Sequence, residues 1–479
     1  MEKKNFYITT TLPYVNADLH IGHALEFVRA DAIARYKKLL GNEVFFNTGT
    51  DEHGIKILRK AEESGLSAKE YTDKAFMRFR EQVASFGISE DAHFIRTTDL
   101  AHEKAAQEFW LRVEKNGYIY KKNYQTKYCV SCELERTDSE LVNGKCPEHP
   151  NQEIETIEEE NYFFKFSEFQ KPLLDFYAKN PNFVIPNFRF NEVKAFVERG
   201  LQDFSISRLK SKMPWGIEVP NDPDQVMYVW FDALTNYIST LGWPDQNGDF
   251  EKFWVNGNPT QYCGKDNTRF QAIMWQAMLM AADVPNSYQI VVNGHITADE
   301  GVKMSKSLGN VVEPKEISEK YGSDVLRIFL LKEISSFEDS PFTMERFERA
   351  YNANLANGLG NLASRILTLS EKYLEKCPEI PENSISQEFF DHLEKFDIQK
   401  SADYVWSEIQ SLDKMIQETE PFKVIKVDTE KGKSLITEMV IKLYTIARML
   451  NPLMPKTNIL LKDLIKQNKK PEKPLFQRI

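Results

Sequence analysis

A β-branched and aromatic run, NFYITTTL at residues 5–12, passes through Pro13 into a long helical pattern from about His23 to Leu40, and a second such run, VFFNTG at 44–49, follows. Runs of that composition and length are buried strands, and Gly41 supplies the residue that ends the helix between them. Strand, helix, strand in direct succession constrains the chain more than any other feature. Such a unit closes as a parallel sheet, and parallel sheets bind their ligands at the carboxyl ends of the strands. A further helix is predicted over 99–116. The pattern then breaks from about 118 to 225, where cysteines, the acidic run Glu158–Glu160 and the aromatics Tyr162, Phe163, Phe164 and Phe166 leave an irregular text. It resumes with YVWFDALTNYI (228–238), GKD (264–266), a helical stretch near 268–282 and the apolar strand QIVVNG (289–294), so one sheet is split by an insertion.

Beyond about residue 345, Leu355, Leu359, Leu362, Ile366 and Leu369 recur three and four apart, as do Leu435, Met439, Leu443, Ile446 and Leu450, which predicts a helix bundle. The expected layout is an α/β core over 1–117 and 226–295, an insertion over 118–225, a loop and connecting region over 296–345 and an all-α domain over 346–479. A chain of 479 residues is too long for one hydrophobic core, in keeping with that division. The charged segment KQNKKPEKP near the end is expected to be solvated. Net charge is 61 − 71 = −10, so no overall field attracts nucleic acid and any such binding is local. Neither a signal-peptide core nor a run of 18 apolar residues occurs, which predicts a soluble, cytoplasmic protein with no membrane partner.

His20-Ile21-Gly22-His23 lies where the first strand passes into the first helix, so two imidazoles and the helix's free N–H groups converge on one spot. Gly22 lets a flat ring or a phosphate approach the backbone, and imidazoles can donate to oxygens whose charge grows during phosphoryl displacement. Satisfied surface histidines are the alternative. Lys303-Met304-Ser305-Lys306-Ser307, followed by Leu308-Gly309-Asn310, puts two lysines and two serines on a loop suited to gripping a pyrophosphate. There the alternative is a solvated basic loop. Cys129-x2-Cys132 and, thirteen residues on, Cys146-x2-His149 form a ligand set for tetrahedral zinc. Each pair spans one tight turn and can aim both ligands at an ion about 2.0–2.3 Å away, and four protein ligands leave no position for water, so the spacing predicts one structural Zn2+ per chain. Free thiols beside a surface histidine are the alternative.

The two signatures His-Ile-Gly-His and Lys-Met-Ser-Lys-Ser, in this order and each after a predicted strand, make the chain resemble the class I aminoacyl-tRNA synthetases. Within that class the text is most similar to the methionyl-tRNA synthetases over almost its whole length. Thr11-Leu12-Pro13-Tyr14, GTDEHG (49–54), YFF (162–164), ISR (206–208), YVWFDA (228–233), GKD, GNLASR (360–365) and NPLMP (451–455) stand in that family's order. The insertion is too short for the editing domain of the isoleucyl, valyl and leucyl enzymes, and no cysteine precedes Cys129, as the cysteinyl enzymes would require. One form of the family carries a single Cys3His knuckle in this insertion.

The resemblance implies a Rossmann-type core that takes ATP with Mg2+ and L-methionine, forms methionyl-adenylate and pyrophosphate, and charges the 3′-terminal ribose of tRNA(Met), the initiator included. It gives catalytic roles to His20, His23 and Lys306, and adds Gly22, Asp266 and Lys303 as ATP-binding residues. Asp51 is implied to pair with the methionine ammonium group and Arg208 to face its carboxylate, with Leu12, Tyr14, Trp230, Ala233, Leu234, Tyr237, Asn267 and Gln271 around the side chain. Without the resemblance, Asp51 and Arg208 read as surface ion-pair partners and the stripe from Trp230 to Tyr237 as core. Asn267 and Gln271 stand where the family's pocket pattern has isoleucine and histidine, which keeps open another class I synthetase for an aliphatic amino acid. A non-catalytic tRNA-binding paralogue is the other alternative. The Gln271 amide is expected to bond to pocket walls such as Tyr237 or Asn267. Asn361 and Arg365, four apart on one helix face, match the family's anticodon readers, and Phe422 takes the place of its stacking tryptophan, with a core role as the alternative. The C-terminal tRNA-binding dimerisation module of many members is not expected, and a monomer follows.

Overall fold

A computed structural model describes residues 4–131, 134–136, 140–245, 248–298, 312–382 and 385–479. They group into two compact units, one of Met1–Asp18, Glu43–Glu81 and Asp91–Val292, the other of Leu19–Asn42, Gln82–Glu90 and Asn293–Ile479.

The first unit is built on a six-stranded parallel sheet. Its strands lie in the order His93–Arg96, Glu43–Thr50, Asn5–Thr10, Asn258–Gly264, Gln289–Asn293 and Val184–Ile185. Phe6, Tyr7 and Ile8 are consecutive and all buried, so the strand Asn5–Thr10 is covered on both faces, as a central parallel strand must be. Earlier strands lie to one side of it and later ones to the other. The order therefore reverses between Asn5–Thr10 and Asn258–Gly264, and at such a switch point the loops diverge and leave a crevice at the carboxyl ends. Register pairs Ile8 with Thr260 and Thr10 with Tyr262, which brings the residues after Thr10 and after Gly264 to the same edge. The helices Leu100–Lys115 and Trp275–Ala281 supply Phe109 and Trp275, stacked 5.5 Å apart, to an aromatic core that also holds Tyr7, Phe231 and Trp254. Each such side chain contributes about 2–3 kcal/mol by leaving water.

The described residues of the stretch 118–225 form regular elements rather than irregular text. It forms an antiparallel sheet in the order Leu134–Arg136, Ile119–Cys129, Glu155–Phe164, Phe204–Ser205, a smaller sheet of Glu218–Val219, Asp222–Met227 and Ser207–Leu209, and the helices Gln170–Lys179 and Asn187–Glu198. Its strand Val184–Ile185 pairs with Gln289–Asn293 at the edge of the parallel sheet. Cross-strand pairs replace apolar alternation here. Lys121 stands opposite Tyr162, with its ammonium 5.0 Å from the ring centroid and 2.9 Å from Asp222.

In the second unit, the helix Ile21–Leu39 ends as its sequence requires. Gly41 (φ 80°) donates to the Lys38 carbonyl at 2.9 Å and Asn42 to the Lys37 carbonyl at 3.1 Å, a Schellman closure. Asp31 on this helix is fully buried between Arg35 and Arg327, each at 2.7 Å. Burial pushes its pKa up, but the two guanidiniums and Ser89 outweigh that and hold the carboxylate below its ordinary range. Arg327 also donates to the Pro452 carbonyl at 2.9 Å, which ties the helix to the NPLMP segment of the bundle. The bundle contains Asn361–Tyr373, Gln387–Glu394, Ile398–Thr419, Pro421–Val427, Thr429–Met449 and Pro455–Gln467, several started by an aspartate or serine cap or a first-turn proline. Leu355, Leu359, Leu362 and Ile366 are buried as their spacing predicts, while Leu369 is half-buried and Leu367 takes the inward position. Lys469, Lys470, Glu472 and Lys473 are exposed as expected, but the chain after them returns to the bundle. There Arg478 Nε donates to Asn357 Oδ1 at 2.8 Å and the Phe476 ring meets Tyr351 edge-on at 6.4 Å. Among the described residues no helix is long and apolar enough to cross a membrane.

Candidate active site

The turn after the first strand is fastened to the turn after the second. Asp51 N–H donates to the Pro13 carbonyl at 3.1 Å and Val15 N–H to the Asp51 carbonyl at 3.3 Å, so Tyr14 and Asp51 form a parallel bridge beyond the sheet proper. Asp51 is buried, and Tyr14 is half-buried with the Lys56 ammonium 5.2 Å from its ring. Across the switch point, Gln271 Nε2 donates to Thr11 Oγ1 at 2.8 Å and its Oε1 accepts from Gln261 Nε2 at 3.2 Å. These partners correct the expectation of Tyr237 or Asn267. Tyr237 is taken up in the hydrophobic core with Leu234, its ring edge-on to Trp275 at 5.9 Å, whereas the strand Asn258–Gly264 presents the Gln261 amide to Gln271. Trp230 lies flat on Phe270 at 3.7 Å and 7°, Leu12 and Ala233 are buried, Asn267 is half-buried and Asp266 exposed. Arg208 is buried between the rings of Tyr128 and Tyr228, 5.3 and 4.7 Å from their centroids, and donates to Ser205 Oγ and to the Ser207 carbonyl, both at 2.7 Å.

A buried group to which sequence reading gave no role begins two residues after Asp51. His53 Nδ1 and His102 Nε2 each stand 2.7 Å from a different oxygen of Asp232, and His102 Nδ1 stands 2.8 Å from Ser239 Oγ. Burial opposes charge on both partners of the first pair. The opposite charge and the shared hydrogen bond outweigh it, holding Asp232 below the ordinary carboxylate range and His53 above the ordinary imidazole range. Glu52, between Asp51 and His53, is clamped separately by Thr50 Oγ1 at 2.6 Å, Thr98 Oγ1 at 2.5 Å and Arg96 at 2.8 Å. His53 and Asp232 fall within GTDEHG and YVWFDA, the only sequence signal for them.

In the second unit, His20 is the N-cap of Ile21–Leu39. Its Nδ1 accepts from Gly22 N–H at 3.1 Å, His23 Nδ1 accepts from His20 N–H at 3.3 Å, and the two rings stack at 3.7 Å. With both Nδ1 lone pairs engaged, each neutral ring carries its proton on Nε2, a donor for an anionic oxygen. A Cβ at position 22 would lie 3.0 Å from His20 Cε1, so any larger residue there would press on the His20 ring. Lys303 and Lys306 lie outside the described residues. Elsewhere in this unit Asn361 is exposed at the start of its helix, Arg365 one turn on is half-buried and ion-paired with Asp413, and Phe422 is 40% exposed rather than core.

Cys129 Sγ, Cys146 Sγ and a ring nitrogen of His149 lie within 4.8 Å of one another, both cysteines buried. Soft, deprotonatable donors gathered in so small a volume, joined by a turn in which His149 N–H donates to the Cys146 carbonyl at 3.1 Å, fit a metal ion with a preference for sulfur and nitrogen. Cys132 lies outside the described residues.

Comparison with known proteins adds relatives to this geometry. A family model described as class I tRNA synthetases (M) matches residues 6–158 and 150–367. The methionine–tRNA ligase of Caldanaerobacter subterraneus subsp. tengcongensis is 40% identical over 471 residues, covering 95% of this chain and 73% of the relative. That of Rickettsia bellii is 39% identical over 469 residues, covering 94% and 91%. Among solved structures, Mycobacterium tuberculosis methionyl-tRNA synthetase in complex with methionyl-adenylate superposes with a TM-score of 0.89 at 34% identity, over 96% of this chain and 93% of that one.

Proposed function

This chain belongs to the class I methionyl-tRNA synthetases and is a methionine–tRNA ligase, and from that premise we propose which of its groups perform the reaction. Asp51 binds the methionine ammonium group, where burial strengthens the ion pair. Arg208 acts toward the carboxylate. Leu12, Tyr14, Trp230, Ala233, Leu234, Tyr237, Asn267 and Gln271 select the thioether by shape, aromatic edges suiting its polarizable sulfur. A methionine carboxylate oxygen attacks the α-phosphorus of ATP and pyrophosphate leaves. The Nε2–H donors of His20 and His23, with Lys306 and Lys303, stabilise the charge that moves onto the phosphate oxygens, Gly22 gives the nucleotide room and Asp266 holds its ribose. The 3′-terminal ribose hydroxyl of tRNA(Met), elongator or initiator, then takes the acyl group and AMP departs. Asn361, Arg365 and Phe422 read the anticodon, the first two at base edges and Phe422 by stacking.

Mg2+ bound with ATP would screen the charge of its phosphates. Cys129, Cys146 and His149, with Cys132, would hold one structural zinc, which would fix the surrounding turns. The working form is a cytoplasmic monomer. The functional divisions follow the layout 1–117 and 226–295 for catalysis, 118–225 for the zinc-bearing insertion, 296–345 for the loop and stem contact, and 346–479 for the anticodon.

The observation that carries the residue assignments is the fastening of Tyr14 to Asp51 and of Thr11 to Gln271 at the switch point of the parallel sheet. Exchange of labelled pyrophosphate into ATP tests the reading. Methionine should support it, and better exchange with leucine, isoleucine or valine would move the chain to a different amino acid. No exchange with any amino acid would leave a tRNA-binding paralogue. Metal analysis of freshly purified protein should find one zinc per chain, and finding none would remove the structural zinc.

A further inference from the structure

Two short segments present the residues assigned above to the ammonium group and the side chain of methionine, and both take their positions from contacts with the rest of the unit. Asp51 makes the isolated bridge to Tyr14 at the head of the turn 51–54, and Trp230 lies on the helix Val229–Ala233, a single turn of five residues without a side-chain cap. A helix that short has no intrinsic stability and takes its position from tertiary contacts. Each segment carries, two residues further on, one member of the same buried pair: His53 after Asp51 and Asp232 after Trp230, joined at 2.7 Å. The second oxygen of Asp232 accepts from His102 at 2.7 Å, on the sixteen-residue helix Leu100–Lys115, and His102 in turn meets Ser239 on the following short helix Asn236–Ser239 at 2.8 Å.

We propose that Asp232, with His53 and His102, is a positioning device for amino-acid recognition, one that sets the carboxylate of Asp51 and the indole of Trp230 in register against the long helix. None of the three takes part in the chemistry. A carboxylate whose two oxygens each hold an imidazole of a different element has its orientation fixed in two directions, which a backbone contact to either segment alone does not achieve. Burial of all three excludes water that would otherwise compete for those bonds. Other carboxylates near the His53 ring are Glu52, matched by Arg96, and Glu103. Asp232 is the one bonded to it.

The proposal rests on the assignment of Asp51 and Trp230 to methionine, and its test separates the two. In pyrophosphate exchange with the full chain, methionine KM and ATP KM are measured for Asp51→Ala, His53→Ala, His53→Asn and His53→Gln. His53→Ala should raise methionine KM at least about tenfold with ATP KM within about twofold of the unmodified protein. The amide nitrogen of His53→Asn reaches the place of Nδ1 and should restore methionine KM to within about threefold. His53→Gln keeps bulk and polarity but displaces the donor, and should behave like the alanine variant. If His53→Ala does not fold, the contrast between asparagine and glutamine decides alone. Equal methionine KM in those two, or a rise in both KM values together, overturns the positioning role. Unchanged methionine KM in Asp51→Ala overturns the underlying assignment instead.

Discussion

Asp232 in the first unit and Asp413 in the second each hold a basic partner, His53 and Arg365, in different surroundings. Side-chain exposure is 1% and 4% in the first pair but 36% and 35% in the second. A buried pair has lost its hydration and depends on its geometry, so removing one member leaves an uncompensated charge. An exposed pair is screened and exchanges readily with water, so Arg365 can leave Asp413 for another acceptor at little cost. The difference suits the ligands proposed for each region. A small amino acid must be recognised by groups already fixed and dry, whereas an unpaired base has to be met by side chains that solvent, and therefore RNA, can reach.

The largest effect should come from the buried pair. Asp232→Ala leaves two donors without an acceptor and is expected to lose about 3–5 kcal/mol of stability, read from the midpoint of urea unfolding at constant m. Because the Asp232 pKa is depressed, its contribution is full above the ordinary carboxylate range and is lost as pH falls through the lowered value. Because the His53 pKa is raised, that contribution is full below the ordinary imidazole range and is lost as pH rises through the raised value. The stability difference between unmodified protein and Asp232→Ala should therefore be greatest between those two ranges and shrink on both sides. A pH-independent difference would mean that packing, not charge, holds the pair. Next in size, Trp230→Ala removes the ring that stacks on Phe270 and should raise methionine KM about 10- to 100-fold, roughly 1.4–2.7 kcal/mol, with tRNA affinity unchanged. An unaltered KM would put Trp230 outside the pocket wall. The smallest effect belongs to the exposed pair. Asp413→Ala should shift stability by no more than about 1 kcal/mol, and a loss as large as that of Asp232→Ala would erase the contrast between the two regions.

The parallel sheet was legible where burial on both faces forces apolar text, as in NFYITTTL, VFFNTG and QIVVNG. The paired strands Ile119–Cys129 and Glu155–Phe164 were not, because ion pairs and ring contacts on a half-exposed surface carry them, and lysines and glutamates there look like loop. Val184–Ile185 is two residues long and has no period to detect. For the site, spacing gathered Cys129, Cys146 and His149, and the arrangement of His20 and His23 around Gly22 follows from their positions in the cap of one helix. His53, His102 and Asp232 are far apart in sequence, and only the folded sheet and helices bring them together. Gln271 marks the limit of resemblance as a guide. Its amide makes bonds to Thr11 and Gln261 that the family's histidine pattern does not suggest.

The proposed division between a buried amino-acid site and partly exposed anticodon readers is tested most directly by assaying Arg365→Ala two ways in one preparation, for methionine-dependent pyrophosphate exchange and for charging of tRNA(Met). Loss of one base-edge contact is expected to lower kcat/KM for charging about 5- to 150-fold, equivalent to about 1–3 kcal/mol, while exchange stays within about twofold of the unmodified protein. Equal losses in the two assays would show that Arg365 acts through folding or through the activation step, and the proposed separation of the two recognition surfaces would fall.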